Sequence, residues 1–321
     1  MMLLTLIFAF AGAQTAWAWS GSGTSADPYL ITSTSDLDQL ATNVNSGTAY
    51  KNMYFKQTAD IAYSTEGVGD TESNFTAIGN QSHYFRGHYD GQGHTISGIR
   101  IYKGGKNDAD DYQGLFGKIN QYADVRGITL ADTRITGFYN IGGIVGYNSW
   151  GTVTDCHVKA DVFIHAVKST AYYHGGIVGV NDRGTVTDCT SAATLTKSDD
   201  NEGMYYGGIA GMNYTGTLRN NVAIGVVVPA AQDNTYGAIC GQNNSGTLQN
   251  NCYYACTVAG VENATGVGCY NADVDGANTA SPNHFEQTGT NEYTIKTAGG
   301  WNLFCALLAT EAKGYFTGKT V

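Results

Sequence analysis

The sequence predicts an all-β protein: a right-handed parallel β-helix with a short helix near its N-terminus. Three observations favour this class, namely serial copies of one short motif, segments with a two-residue apolar period, and a glycine-rich composition. Gly accounts for 43 of the 321 residues, Tyr for 22 and Pro for 3, and only 14% of residues are charged. Disordered chains need more charge and fewer aromatics, and collagen needs proline and a three-residue glycine period. Both classes are therefore excluded.

The first residues are predicted to form a cleaved export signal. Residues 3–13 are apolar but too few to cross a bilayer, which takes about 20 residues. Ala16 and Ala18 flank Trp17 in the small-residue pattern that precedes a cleavage site. We therefore expect a signal peptide at residues 1–18, no transmembrane segment in the mature chain, and a secreted or cell-surface protein.

Residues 19–62 are expected to form an N-terminal cap region that contains one helix. Ser35 and Asp38 have the spacing of a capping box, and Gly47 can end a helix. The apolar residues between them follow the helical period: Leu37, Leu40 and Val44. We expect a helix over about 36–45 that covers the open strand edge of the first coil.

Region 63–292 is expected to form the β-helix, because one motif returns along it about every 30 residues. The motif is Gly-Gly-Ile-Val-Gly-x-Asn, followed by Gly-Thr and an apolar residue, with some variation between copies. Its Asn positions are Asn148, Asn181, Asn213 and Asn243, and its apolar positions are Val153, Val186, Leu218 and Leu248. Stacked coils place equivalent residues about 4.8 Å apart. The Asn residues should therefore form a hydrogen-bonded ladder, and the apolar residues a stacked file.

Each coil is expected to contain three short strands. Thr152-Val153-Thr154 is one, and the Gly-Ile-Val-Gly segment is another. The third runs over residues 158–164, where a two-residue period predicts four inward side chains. These are Val158, Ala160, Val162 and Ile164.

Residues 85–98 read FRGHYDGQGHTISG, residues 114–117 read GLFG, and the GGIVG copies follow. These segments resemble bacterial secreted and surface proteins that carry GLUG repeats, and the segment from Trp19 to Tyr29 is similar to the mature start of such proteins. The resemblance covers about residues 19–256. It implies a parallel β-helix in an adhesin-like surface protein, and such modules also precede IgA-cleaving metalloprotease domains.

The sequence contains none of three common catalytic motifs: H-E-x-x-H, G-x-S-x-G and the Walker loop. His88, Asp90 and His94 could bind a metal, but we interpret them as a polar turn. Asp155 and Asp188 occupy a repeat position that later becomes Asn, which indicates a structural role. We therefore expect no catalytic residue, no metal site and no cofactor.

Two acidic loops could bind Ca²⁺ through carboxylate oxygens, although such loops are more often merely solvated. They contain Asp108, Asp110, Asp111, Asp199, Asp200 and Glu202. The net charge of −10 argues against a nucleic-acid partner.

The seven Cys residues form no recognisable framework, since an odd number leaves one unpaired. Cys156 and Cys189 occupy the same repeat position. Adjacent coils would allow a disulfide or a stack of buried thiols, and we favour free thiols.

Tyrosines before the repeated Gly pair are the candidate ligand-binding residues. They are Tyr139, Tyr172, Tyr173, Tyr205, Tyr206 and Tyr236. Stacked in a column, they could bind a glycan or a host surface protein, or they could simply shield the edge of the coil.

These features predict a secreted, surface-associated repeat module that is adhesive or ligand-presenting and not an enzyme. The alternative is an accessory module that positions substrate for a larger secreted hydrolase acting on protein or glycan. Ice or mineral binding is less favoured, because Thr152 and its equivalents give one aligned file. Residues 293–321 echo the first module, so we expect them to begin a second, truncated module or to form a C-terminal cap.

Overall fold

The computed structural model describes most of the chain: residues 19–104, 111–167, 172–198, 204–229, 235–254, 256–262, 285–289, 292–295, 301, 304–305, 308 and 320. Within residues 29–262 the chain winds into a parallel β-solenoid of about six coils. A complete coil passes through five sheets in turn, which we number 1 to 5 in chain order.

The strands of each sheet come from successive coils. Sheet 1 contains Tyr29–Ile31, Tyr54–Gln57, His88–Asp90, Asp124–Arg126, Thr152–Thr154, Thr185–Thr187, Thr217–Arg219 and Thr247–Gln249. Sheet 2 contains Ile61–Ala62, Thr95–Ser97, Thr129–Ala131, His157–Val158, Thr190–Ser191, Val222–Ile224 and Cys252–Tyr254. Sheet 3 contains Arg100–Tyr102, Thr133–Gly137, Val162–Ala166, Thr194–Lys197, Val227–Val228, Thr257–Val258 and Val261–Glu262.

The last two sheets are shorter. Sheet 4 contains Tyr112–Gln113, Asn140–Gly142, Tyr172–Gly175, Met204–Gly207 and Tyr236–Gly237. Sheet 5 contains Phe116–Ile119, Val145–Ser149, Val178–Asp182, Ala210–Tyr214 and Cys240–Asn244. Neighbouring strands in the solenoid pair in parallel, except that Val261–Glu262 pairs antiparallel with Thr257–Val258.

The prediction of three strands per coil was wrong, because very short turns divide the coil into five. Thr152–Thr154 is a strand as predicted. The segment 158–164 is divided between His157–Val158 and Val162–Ala166, with a turn between them. Ala160 lies in that turn and is exposed, although the alternation placed it inward.

The predicted apolar file is confirmed. Val153 pairs in register with Val186, which pairs with Leu218, which pairs with Leu248. All four are buried, because they lie on the same face of sheet 1 and that face points into the solenoid. Each coil therefore buries its apolar side chains against its neighbours.

The predicted asparagine ladder is also confirmed. The Nδ2 atom of Asn148 donates to Oδ1 of Asn181 over 2.9 Å, and the next two steps, through Asn213 to Asn243, measure 2.8 Å each. Each Nδ2 also donates to the carbonyl oxygen of the Gly three residues later, over 2.9–3.1 Å. The ladder thereby satisfies buried polar groups at one corner of every repeat.

A second corner, between sheets 1 and 2, explains the recurring Asp and Asn residues. Asp155, Asp188, Asn220 and Asn250 all have a φ between 52° and 57°. Asp and Asn adopt this left-handed conformation more readily than other residues with a side chain. The amide of Asn220 also donates to the carboxylate of Asp188 over 3.0 Å, which supports a structural role for these positions.

The helix spans Thr34–Asn45 and begins earlier than predicted. Ser33, not Ser35, is its N-cap and accepts a hydrogen bond from the backbone N–H of Asp36. The Asp36 carboxylate in turn accepts from the backbone N–H and the hydroxyl of Thr32, at 2.8 Å each. Its buried residues join the hydrophobic core: Leu37, Leu40, Ala41 and Val44.

The predicted signal peptide at 1–18 lies outside the described residues, and most of region 293–321 does too. Glu292–Ile295 pairs antiparallel with Phe285–Gly289, and Glu292 forms a parallel bridge with Thr320. In the part of the chain that is described, no helix is long and apolar enough to cross a membrane.

Candidate functional site

The candidate tyrosines belong to two files that face opposite sides of sheet 4. Tyr173 pairs in register with Tyr205, whereas His174 pairs with Tyr206, which pairs with Tyr236. Adjacent residues in a strand face opposite sides of the sheet. The predicted single column is therefore wrong, and the tyrosines divide between an outer and an inner file.

The outer file contains a stacked pair of rings. The centroids of Tyr173 and Tyr205 lie 4.9 Å apart, with an angle of 23° between the ring planes. Both side chains are half-buried, so ring surface remains open to solvent. Burial, together with the neighbouring Tyr205, raises the pKa of the Tyr173 hydroxyl. The Tyr173 hydroxyl is therefore a neutral donor at physiological pH.

The inner file is part of the core. Tyr206 is fully buried, and its ring lies 5.2 Å from that of His174. Tyr236 is half-buried and packs against the core. Tyr206 is therefore excluded as a surface ligand-binding residue, because its side chain has no access to solvent.

The remaining two candidates lie at the start of sheet 4. The Tyr139 carbonyl accepts a 3.3 Å hydrogen bond from the backbone N–H of Tyr173, and the Tyr139 side chain is half-buried. Its ring packs on Phe138, with centroids 4.8 Å apart. Tyr172 begins the next strand of the sheet, and its side chain lies outside the described residues.

Two tyrosines that were not among the predicted candidates extend the outer file, Tyr112 within sheet 4 and Tyr147 on sheet 5. The rings of Tyr112 and Tyr147 meet edge to face at 5.6 Å. The Nζ atom of Lys118 lies 5.2 Å from the Tyr112 ring and 5.7 Å from the Tyr147 ring, and burial lowers the pKa of this lysine. We call Tyr112, Tyr147, Tyr173 and Tyr205 the aromatic face.

Repeated glycines allow sheets 4 and 5 to approach closely beside this face. A Cβ on Gly146 would stand 2.7 Å from the carbonyl oxygens of Asn140 and Gly117. A Cβ on Gly179 would stand 2.7 Å from the backbone nitrogen of Ile141 in sheet 4. Real Cβ atoms do not approach backbone this closely, so the repeat requires glycine here, and the spacing of the two sheets follows from it.

The other polar candidates do not converge on a site. His94 contacts Asp60 at 3.2 Å, whereas Asp90 accepts from the Arg126 guanidinium at 2.9 Å. Among the described residues, no group of three or more His, Cys, Asp or Glu side chains could hold a metal ion. The candidate calcium loops lie outside the described residues, apart from Asp111.

Cys156, Cys189, Cys240 and Cys305 are free thiols. Cys156 and Cys189 are fully buried, as the stacked-thiol alternative requires. Burial is the main cause that raises the pKa of the Cys189 thiol, and the neighbouring Cys156 adds to it. The Cys189 thiol is therefore not activated as a nucleophile.

Comparisons with known proteins agree with the repeat geometry. The family model of the GLUG motif matches residues 139–162, which run from just before the sheet 4 strand Asn140–Gly142 to the first residue of the sheet 3 strand Val162–Ala166. This chain is a GLUG-repeat β-solenoid. Its GLUG copies supply the glycines between sheets 4 and 5, the ladder asparagines and the apolar file described above.

Two curated proteins and one solved structure are similar to parts of the GLUG-repeat chain. Halomucin of Haloquadratum walsbyi is 35% identical over 128 residues, which are 38% of this chain and 1% of halomucin. A candidate Gly-rich membrane protein of Evansella cellulosilytica is 30% identical over 141 residues, which are 42% of this chain and 15% of that protein. The chain thus spans a small part of both relatives.

The solved structure is a crystal structure of a candidate immunoglobulin A1 protease from Bacteroides ovatus. It superposes with a TM-score of 0.49 and 19% sequence identity, over 77% of this chain and 75% of that chain.

Proposed function

We propose that this GLUG-repeat chain is a secreted, surface-associated module that binds an extracellular ligand through its aromatic face and does not catalyse a reaction. The observation that carries this proposal is the stacked pair of Tyr173 and Tyr205 in register on adjacent coils. Half-buried, flat rings with polar tips suit stacking on sugar rings or packing on a protein partner.

The solenoid supports this role by holding the rings rigidly. Parallel pairing fixes Tyr173 opposite Tyr205, and the buried asparagine ladder at the far end of sheet 5 locks the register of the coils. A ligand-binding surface that is already ordered loses little conformational entropy on binding.

Export and surface association are parts of the same proposal. They rest on the signal-like pattern at residues 1–18 and on the similarity to a protein described as a candidate membrane protein. We also propose that the coils wind right-handed, as nearly all parallel strand crossovers do, and that helix Thr34–Asn45 covers the first coil.

A binding screen tests the proposal. The chain from residue 19 is applied to a glycan microarray and to a panel of immobilised extracellular matrix proteins, and captured ligands are retested with the Tyr173→Ala/Tyr205→Ala double variant. The matched control is Phe163→Ala, which removes a 43% exposed ring from sheet 3. We expect the double variant to lose capture and the control to keep it. Equal capture by both variants, or degradation of the captured ligand, would overturn the proposal.

A further inference from the structure

A second exposed row of residues runs along the corner between sheets 5 and 1. It is formed by the residue two positions before each sheet 1 strand, such as Trp150 before Thr152–Thr154. Backbone hydrogen bonds between coils make these positions equivalent, for example Thr152 N to Ala123 O and Thr185 N to Gly151 O, at 2.9 Å each. We call four successive members the corner ridge: Arg86, Tyr122, Trp150 and Arg183.

Three of the four ridge residues have a left-handed backbone, as do the equivalent Thr215 and Ser245 of the next two coils. The φ angles are 80° at Tyr122, 62° at Trp150 and 56° at Arg183. Bulky side chains rarely adopt the left-handed region, and the corner between sheets 1 and 2 fills its left-handed positions with Asp and Asn. Glycine or asparagine would relieve the strain on the ridge, so the fold alone does not explain an aromatic or cationic residue there. Such outliers point to a functional role.

The ridge presents aromatic rings and cations to solvent. Trp150 is 52% exposed and Tyr122 is 46% exposed. The Arg183 guanidinium lies 4.9 Å from the centroid of the Trp150 ring. At the other end of the ridge, Lys51 Nζ and the Arg86 guanidinium lie 4.4 and 5.2 Å from the Tyr122 ring.

The Asp182 carboxylate holds the Arg183 side chain in place. The Nε and NH2 atoms of Arg183 donate to the two carboxylate oxygens of Asp182 over 2.7 and 3.1 Å. The Asp182 side chain is 8% exposed and also accepts a 3.0 Å hydrogen bond from the Tyr147 hydroxyl. A buried carboxylate with two partners therefore fixes the direction of an exposed guanidinium.

We propose that the corner ridge binds an acidic polysaccharide in which charged and uncharged sugars alternate. Arg86 and Lys51 would bind one carboxylate or sulfate, Arg183 would bind another, and the rings between them would pack against uncharged sugar faces. Three coil steps separate the two arginines, about 14 Å at the strand spacing, which is the length of a short oligosaccharide. This inference deepens the proposed function and rests on it.

Charge placement favours a polysaccharide over a nucleic acid. A nucleic-acid strand carries one charge about every 3.4 Å, whereas the ridge has cations at its ends and neutral rings between them. The chain as a whole has a net charge of −10, which repels a dense polyanion. Two carboxylates flank the ridge in sequence, and Asp124 lies 3.8 Å from the Arg126 guanidinium. Asp182 and Arg183 form a pair with no net charge, so an anionic ligand would be bound there by the remaining N–H donors of the guanidinium.

Hyaluronan and unsulfated chondroitin oligosaccharides are the probes, because both alternate a charged with an uncharged sugar; neutral dextran and an oligothymidylate are the comparisons. The key variant is Trp150→Gly, which removes the ring and relieves the left-handed strain. We expect it to be at least as stable to urea as the parent chain, and to bind the acidic probe about tenfold more weakly. The matched control is again Phe163→Ala, which should bind normally.

Three results would overturn the inference: no binding of either acidic probe at low salt, unchanged affinity in Trp150→Gly, or tighter binding of oligothymidylate. A loss of stability in Trp150→Gly would likewise assign the ring a structural role. The Tyr173→Ala/Tyr205→Ala variant separates the two proposals. If wild-type chain is captured by other ligands through Tyr173 and Tyr205 but ignores the acidic probes, the ridge inference fails and the proposed function stands.

Discussion

The side-chain amide of Asn181 donates a 2.8 Å hydrogen bond to Oδ1 of Asn213, one coil further along the solenoid. The same amide donates to the carbonyl oxygen of Gly184 over 3.0 Å. It also occupies the space that a Cβ on Gly216 would need. The repeated Asn and the repeated Gly thus act together, because the glycine leaves room for the Asn side-chain amide of the preceding coil.

Breaking this ladder should destabilise the solenoid. Asn181→Ala removes a buried amide and leaves Asn148 Nδ2 and Asn213 Oδ1 without that partner. We expect a loss of about 1–3 kcal/mol in the free energy of unfolding, measured by urea denaturation. Asn244→Ala is the matched control, because Asn244 is exposed at the end of a sheet 5 strand and should change stability little. Equal stability of both variants would contradict the ladder's role.

The recurring motif made the solenoid predictable from sequence. Equivalent residues such as Val153 and Val186 recur with the same neighbours, and stacking at the strand spacing then places them in contact. The number of strands was not predictable in the same way. The turn around Ala160 leaves no gap in the alternating pattern, so it could not be distinguished from a continuous strand.

The candidate site was only partly predictable. Tyr205 and Tyr206 are neighbours in one strand, so the two-residue period of a strand is by itself enough to place them on opposite faces of the sheet. The corner ridge has no comparable signal. Its residue type changes between neighbouring coils, from Tyr122 to Trp150 to Arg183, so repetition does not reveal the ridge, and backbone φ is not visible in sequence.

The N-cap of the helix provides a second prediction. Ser33→Ala should lower the free energy of unfolding by about 1 kcal/mol, because the hydroxyl that accepts from Asp36 N–H is lost. Ser35→Ala lies in the first turn and should have little effect. Urea denaturation of both variants distinguishes them. A larger loss in the free energy of unfolding for Ser35→Ala would instead support the capping box predicted from the sequence.

The third prediction concerns stability in acid and depends on buried His174. It is fully buried, both ring nitrogens lack a hydrogen-bond partner, and burial lowers its pKa to about 3, with a smaller contribution from nearby His165. The unfolded chain binds this proton below pH 6.5, so stability should be lost as the pH falls from 6.5 towards 3, by about 1.4 kcal/mol per pH unit at most.

The matched variant for this test is His174→Ile, since Ile141 fills the same position one coil earlier. Between pH 8 and pH 5 the variant should lose about 2 kcal/mol less stability than the parent chain, because it has no such proton to bind. Urea denaturation at the two pH values measures this. Parallel pH profiles for parent and variant would show that His174 does not titrate in this way.

The fourth prediction concerns the thiols. Cys305 is exposed and should be alkylated by iodoacetamide in the folded protein, whereas Cys156 and Cys189 should react only after unfolding without reductant. Peptide mass spectrometry after each step measures this directly. A Cys156–Cys189 pair that resists alkylation in urea until reductant is added would instead be a disulfide.

The central claim is that this GLUG-repeat solenoid binds its ligand through the aromatic face. It is tested most directly by the affinity of the best ligand from the binding screen, measured by titration calorimetry with the parent chain, Tyr173→Ala/Tyr205→Ala and Phe163→Ala. We predict that the double variant binds at least about tenfold more weakly and that Phe163→Ala binds as the parent chain does. Equal affinity of the parent chain and a folded double variant would contradict the claim.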